Sequence, residues 1–345
     1  MRMRDYVIRR LLLLIPVLLG VTLIAFTLSH VIGDPVAAYV TEKTPDWQVE
    51  QIKRAHHLDQ PLYVQYFYYL ADLLRGDWGL SRAANDRPVI EVIGEFFPAT
   101  LELTTVAIAF SLALGIPFGI ISAVRKDKPV DHGTRVFALT GVSMPIFWLG
   151  LLLQYIFFYE FKVAGLPSLP SGSRVDEFVI LEHPLQRITG LYLVDSLLTG
   201  NTVVFFDSLT HLIMPGFCLS YVTLALIMRM MRSSMLEVLR QDYITLARSK
   251  GLSERVVIYK HALKNAMIPT VTVTGLAFGG LLAGAVLTET VFSWPGVGRW
   301  STSAILRTDF AAIMGFTILV AVVYVTVNLV VDVLYAALDP RIRYG

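Results

Sequence analysis

The chain has 345 residues, 55% of them hydrophobic and only 16% charged, with a formal net charge of +2. That composition excludes an ordinary soluble domain, in which roughly a quarter of the residues carry charge. Its one cysteine, Cys218, can form no internal disulfide, so a disulfide-stapled secreted scaffold is excluded as well.

Six apolar stretches reach the ~20 residues that carry a helix across the hydrocarbon. They are 11–32, 101–124, 136–158, 209–228, 267–291 and 311–337, which predicts an all-α membrane protein. Arg2, Arg4, Arg9 and Arg10 precede the first stretch as they would a secretory signal. Its apolar run is too long for a signal core and lacks a small-x-small cleavage site, so it is expected to stay as a span.

Residues 34–98 change character, with ten acids and six bases, and are expected to form an outer helical subdomain. Pro45, Pro61 and Pro88 suit helix first turns, and Gly76 suits the end of the middle helix. The apolar face of that helix, from Leu62 to Leu74, is expected either to rest on the membrane interface and outer span ends or to meet a partner. His56 and His57 have no third ligand nearby in sequence, so no metal site is expected there.

The second span is entered through Pro98 and carries Glu102 within a turn of its outer end. An acid inside a span is a candidate for a translocation path, with a locally paired carboxylate as the alternative. In the third span, Ser143-Met144-Pro145 predicts a kink, whose freed carbonyls need neighbours or a cavity. Met144 and Pro145 are path candidates on that ground, with a packing kink as the alternative. Gly275, Gly279, Gly280 and Gly284 of the fifth span predict close helix packing, the seam with a second subunit included. In the last span Asn328 and Asp332 lie four apart on one face, expected either to bond internally or to line a path.

One long polar stretch interrupts the apolar chain. Residues 229–269 hold eight Lys and Arg against three acids. The expected layout is a helix over 235–250, Gly251 in a left-handed conformation at its end, Leu252 as the apolar contact of that cap, and Ser253 as N-cap of a short second helix. Val256, Tyr259, Lys260 and Leu263 would share one face of that exposed second rod. Segments 1–10, 125–135, 229–265 and 339–345 together hold 18 of the 29 basic residues against seven acids. The remaining connections are acidic, so both termini are expected in the cytoplasm.

Asp242-Tyr243, Ala247-Arg248, Lys250-Gly251-Leu252 and His261-Ala262-Leu263-Lys264-Asn265-Ala266 closely resemble the cytoplasmic EAA loop of ABC importer permeases, in particular the dipeptide, oligopeptide and nickel class. Gly251 matches the glycine of that motif, Ala247 its second alanine and Leu263 its later leucine. Thr245 and Leu246 stand where the wider family has Glu and Ala, and Lys264 where it often has Pro. Similar matches run along the chain, among them Gly33-Asp34-Pro35, Leu287 to Trp300 and Leu338 to Tyr344. The resemblance implies a type I importer transmembrane fold, with a first span and outer subdomain over 1–98 and a five-helix core over 99–345. It implies that Asp242, Tyr243, Thr245, Ala247, Arg248, Lys250, Gly251, Leu252, Val256, Tyr259, His261, Leu263 and Asn265 form the surface that docks on an ATPase. An acid placed at Ala247 would then fall within the contact.

The implied partners are a second related permease, two ATPase subunits, an extracytoplasmic binding protein and the lipid bilayer, with no nucleic acid. The chain itself would bind no cofactor, ATP and Mg belonging to the ATPase subunits. From the residues alone, no Gly-Lys dipeptide occurs, so a phosphate-binding loop is absent, and neither His-Glu-x-x-His nor Gly-x-Ser-x-Gly is present. A secondary transporter or channel would also have six spans but needs no docking rod. Within the importer class, peptides, oligosaccharides and nickel all remain possible cargoes. In intact cells, Ser81→Cys and Ser173→Cys are expected to react with an impermeant thiol reagent and Ser253→Cys is not. Labelling at position 253 would contradict the charge-derived topology.

Overall fold

The computed structural model describes residues 3–32, 36, 40 and 44–338, without the side chains of 3–11, 31–32, 283–284, 332 and 334–338. Gly33-Asp34-Pro35 and the motif over 339–344 therefore fall outside the described residues. Helix α1 (Met3–Thr27) ends in a π-helical turn at Leu28–Ile32. Helices α2 (Asp46–Ala55) and α3 (Leu62–Arg75) follow, each beginning directly after a proline. Strands β1 (Leu80–Ser81) and β2 (Arg87–Pro88) pair antiparallel and lead into α4 (Val89–Val124). Next come α5 (Pro129–Ser143) and α6 (Ile146–Leu153), the latter prolonged by a π-helical stretch Gln154–Glu160. Short helices α7 (Glu177–Glu182) and α8 (Tyr192–Leu198) lie in the loop before α9 (Thr202–Val238). Then α10 (Asp242–Ser249) stands alone. The run Glu254–Val256, Val257–Ala262 and Leu263–Gly284 forms one rod, α11, with a π-helical segment near its start. Helices α12 (Val286–Val291), α13 (Val297–Leu306) and α14 (Phe310–Leu338) complete the chain.

Among the described residues six helical segments are long and apolar enough to cross a membrane. Helix α9 is the most buried of them and packs along α4. The contact depends on small residues. A Cβ at Gly115 would stand 3.0 Å from Ile227 Cγ2, and one at Gly119 would stand 2.7 Å from Met231 Cβ, so only glycine lets the backbones come this close. Ser111 Oγ donates to the Ser220 carbonyl across the same seam at 3.2 Å. The fifth-span glycines divide their roles: Val331 of α14 leaves no room for a side chain at Gly275, Tyr324 crowds Gly279, and Gly280 faces outward. Helix α1 lies at the periphery against α14, with Leu13, Leu23 and Ile24 exposed as a lipid-facing helix requires.

Several expected boundaries move. The second span does not begin at Pro98, because α4 runs through that proline from Val89. Val89, Val92, Ala99 and Leu103 are all fully buried on either side of it, and this packing outweighs the one hydrogen bond a mid-helix proline removes. The division expected after residue 98 therefore lies inside a continuous helix. The third span is interrupted rather than kinked, since Met144 is extended at φ −85°, ψ 127° and separates α5 from α6. The small hairpin has no counterpart in the helical reading of the sequence. Gly76 does end α3 in the left-handed region, at φ +87°.

At the end of the molecule away from the basic loop, Tyr66 of α3 donates to the Leu19 carbonyl of α1 at 3.1 Å, and Tyr66 and Tyr69 surround Phe26. The aromatic face of α3 thus rests on the first span. Ser81 of the hairpin is completely buried, donating to Asp309 Oδ2 at 2.8 Å. It is a poor reporter of sidedness for that reason, and exposed Asp59 in the turn before α3 replaces it. Asp59→Cys and Ser173→Cys should label in intact cells while the equally exposed Ser253→Cys stays unmodified until the membrane is opened. Equal labelling of all three would sink the two-sided arrangement.

Candidate functional site

The basic loop folds into one free-standing helix on a floor made by the inner ends of three others. Helix α10 begins with Asp242 in its first turn, where an acid complements the helix dipole. Ile244 and Ala247, three apart, turn inward, and Ala247 keeps only 7% of its surface exposed. They pack with Ile120 and Ala123 of α4, Met231 and Met235 of α9, and Val257, Ile258 and Ala262 of α11. Tyr243, Leu246 (56% exposed) and Arg248 border this buried stripe, Asp242, Thr245 and Ser249 are exposed on the opposite side, and exposed Lys250 follows the helix. Gly251 turns the chain at φ +76° with no neighbouring atom within 4 Å of where a Cβ would be, so backbone conformation alone calls for glycine.

Two side-chain contacts hold the corner. Arg248 Nε donates to Glu254 Oε1 at 2.8 Å across the turn, and Asn265 Nδ2 donates to the Tyr243 hydroxyl at 2.7 Å, tying α10 to α11. Leu252, Val256 and Tyr259 add exposed apolar surface beside this corner, with Arg255 and Lys260 exposed among them. A rigid rod with an apolar face and a basic rim suits a groove with an apolar floor and acidic edges.

Four expectations about this loop need correction. The helix expected over 235–250 is broken at Leu239–Gln241, its first part belonging to α9. The second helix is no exposed rod: it is the start of α11, with Val257, Ile258 and Ala262 buried and His261 and Leu263 half-buried. Ser253 does precede that helix with extended backbone, but its hydroxyl makes no capping bond. Ala247, lastly, faces the protein's own core, so an acid there would disrupt the floor before it met a partner. Thr245 is exposed, as expected, and its carbonyl accepts from the Ser249 hydroxyl. Leu246 is the residue that sequence reasoning passed over. Its spacing of three from Tyr243 and four from Lys250 is the signal that marks the outward stripe.

The candidates for a translocation path do not come together. Glu102 is buried and ion-paired, its Oε2 2.6 Å from Arg174 Nη2, while its Oε1 accepts from the Leu193 amide at 2.8 Å. Arg174 comes from the long loop before α7, donates also to the Gly190 carbonyl, and lies 3.7 Å over the Tyr192 ring. The geometry favours the locally paired carboxylate, which fastens this loop to α4. Met144 and Pro145 sit at the break in the third span beside a groove of about 450 Å³ that includes Phe147 and Trp148. Asn328 has its Oδ1 buried with no hydrogen-bond partner among the described residues, and the Asp332 side chain lies outside them.

A second buried ion pair lies at the basic end. Asp131, fully buried in the first turn of α5, accepts from Arg232 Nε at 2.7 Å and Nη2 at 2.9 Å, from Ser122 Oγ at 2.6 Å and from the Asp127 amide at 3.0 Å. The Arg232 hydrogen bonds, opposed by burial and aided by Ser122 and the Asp127 amide, hold the Asp131 carboxyl well below the usual carboxylate range. With its folded value depressed, the stabilisation it supplies is complete above the ordinary aspartate range and is lost only as pH falls through the depressed value.

Six apolar helices, a basic rod on a shared floor and buried ion pairs at both ends define a multi-pass membrane transport component. Residues 115–344 match the family described as the binding-protein-dependent transport system inner membrane component, and residues 3–104 match its amino-terminal companion. The chain belongs to that family. It is 47% identical over 333 residues to the probable D,D-dipeptide transport system permease protein DdpB of Escherichia coli K12, covering 96% of this chain and 95% of the relative. Identity is 44% over 343 residues with the dipeptide transport system permease protein DppB of Alkalihalophilus pseudofirmus, covering 99% and 100%. The oligopeptide transport system permease protein AppB of Bacillus subtilis is 36% identical over 343 residues, again covering 99% and 100%.

The Glu102–Arg174 pair makes a test of its own. Glu102→Ala strands a buried guanidinium and should destabilise the purified protein by about 3 kcal/mol, whereas the paired apolar replacement Glu102→Leu with Arg174→Met should recover most of that loss. Thermal unfolding in detergent measures both. A stable double variant that transports normally fits a structural fastening, and a stable one that cannot transport would return Glu102 to the path.

Proposed function

We propose that this chain is the peptide-translocating permease subunit of an importer powered by a separate ATPase, with α10 as the element that receives the stroke. The observation that carries this reading is the placement of α10. It is a two-turn helix that exposes Tyr243, Leu246 and Arg248 among polar residues and is seated on a floor shared by α4, α9 and α11. Force on such a rod reaches three spans at once. The excess of basic residues around it supports a cytoplasmic position.

On this reading two ATPase subunits, which carry ATP and Mg, engage this rod and its counterpart on a second, related permease. Their closure on nucleotide biases the paired permeases between inward- and outward-facing states, and an extracytoplasmic binding protein delivers the cargo. The names of the relatives support di- or oligopeptides as that cargo. Among the path candidates the geometry favours Met144 and Pro145, whose groove opens on a face that none of the described residues covers. The missing phosphate-binding loop supports a chain without its own ATPase activity.

Docking can be tested on the outward stripe. Leu246→Asp leaves every buried contact of α10 in place and should preserve insertion and abundance, while ATPase copurification and peptide uptake fall roughly tenfold or more, the effect of about 1.4 kcal/mol at a contact. Gly251→Val strains the left-handed corner by roughly 1 kcal/mol or more and should weaken both less severely. Wild-type copurification and uptake in both variants would remove α10 from the coupling role. Peptide retained by the purified binding protein, identified by mass spectrometry, checks the cargo, and an oligosaccharide or nickel ion found there instead would overturn it.

A further inference from the structure

Between the coupling rod and the spans lies a polar junction that the reading above leaves unused. Asp131 gathers donors from three separate pieces of chain: Ser122 on the last turn of α4, the Asp127 amide in the connection, and both Nε and Nη2 of Arg232 on α9. A bidentate guanidinium–carboxylate contact fixes direction as well as distance, which a single hydrogen bond does not. Arg232 follows Met231, and Met231 and Met235 form the floor under Ile244 and Ala247 of the rod. The junction therefore adjoins, along α4 and α9, the residues on which α10 rests.

Farther from the basic loop, α5 meets α9 through an aromatic contact and small residues: Tyr221 packs edge-on against Phe137 at 5.1 Å with its hydroxyl 2.9 Å from Thr140 Oγ1. Ala138 meets Leu224, Ala225 and Met228, and Gly141 approaches Ala225, while Val136, Leu139 and Val142 on the same helix are exposed. Beyond the break at Met144, α5 hands over to α6 and so to the groove at Met144 and Pro145. Whatever makes α5 follow α9 thus decides whether movement of the rod reaches the third span.

We propose that the Asp131–Arg232 pair is a transmission clamp: it makes the inner ends of α4, α5 and α9 move as one body with α10, and so sets how much cargo moves per ATP hydrolysed. Asp131 and Arg232 are positioning residues in this scheme, touching neither cargo nor nucleotide. The proposal rests on α10 being the ATPase contact. The Leu246→Asp copurification reports on that contact alone, so its failure is distinguishable from failure of the clamp.

The test uses the complete transporter in proteoliposomes, with labelled dialanine as cargo and ATP hydrolysis followed in parallel. Asp131→Asn keeps the shape of the side chain and removes its charge, and Arg232→Gln removes the fork. Both should bind the ATPase and hydrolyse ATP at close to the wild-type rate while dialanine imported per ATP falls roughly fivefold, the size of effect a single coupling residue carries. The double variant should be no worse than either single one, because both break the same contact. Ser122→Ala, which spares the ion pair, should lose about half that efficiency or less. A second readout needs no cargo. Spin labels at exposed His132 on α5 and Ser249 on α10 should keep one distance through the nucleotide cycle in the wild type and spread into a broad distribution in Asp131→Asn. An unchanged import ratio together with an unchanged distance in Asp131→Asn would overturn the clamp. If the charge-removing variants do not assemble, Arg232→Lys, which keeps the charge but loses the two-point contact, takes their place, and wild-type efficiency with a single label distance in it would overturn the clamp equally.

Discussion

The seam between α4 and α9 is the contact on which the rest depends. Lipid offers apolar side chains as good an environment as protein does, so spans associate through close packing and hydrogen bonds and not through removal from water. Gly115 and Gly119 against Ile227 and Met231 supply that close approach. Because the helices meet so tightly at this level, Ile120 and Ala123 reach Met231 and Met235, and together they offer α10 a floor. The same approach brings the end of α4 and the start of α5 within reach of Arg232. Without the two glycines neither the rod nor the clamp would have anything to stand on.

Buried charge is the second organising constraint. A carboxylate away from water needs a cation or hydrogen-bond donors at its lone pairs, and Asp131, Glu102, Glu289 and Asp309 meet this in different ways. Asp131 and Glu102 take arginine partners from other elements. Glu289 has no cation: its carboxylate accepts from the Thr100 hydroxyl at 2.6 Å and the Arg299 amide at 2.9 Å, in a space kept open by Gly296 and Gly298. Asp309 caps α14 by accepting from the Ala312 amide and also accepts from Ser81 and Ala83. Three of these acids hold the end away from the basic loop, where α13, the hairpin and the long loop lie over the spans, and one holds the other end.

Much of this was legible in the residues. Six apolar runs of spanning length imposed six helices, because backbone groups in hydrocarbon have few other ways to be satisfied. Gly251 announced its left-handed corner, and Gly76 the end of α3, since a positive φ between helix-forming residues strongly favours glycine. The basic loop was recognisable as the element at which the chain meets something other than lipid.

What the sequence could not decide was direction. An apolar residue at helical spacing has the same appearance whether it faces its own core or a partner, and so Ala247 was read as part of the contact while Leu246 was passed over. The start of α11 shows both sides of this: Val256, Tyr259 and Lys260 are exposed as expected, while Val257, Ile258 and Ala262 beside them pack on α4 and α9 and make this segment the buried root of a span. Partners of buried charges were likewise invisible, because Asp131 lies 101 residues from Arg232 and Glu102 lies 72 from Arg174. Local physics determined which segments become helices and where the chain turns. Which side of each helix faces inward, and which charges meet, was decided only when distant segments packed together, because those energies depend on neighbours that no window of sequence contains.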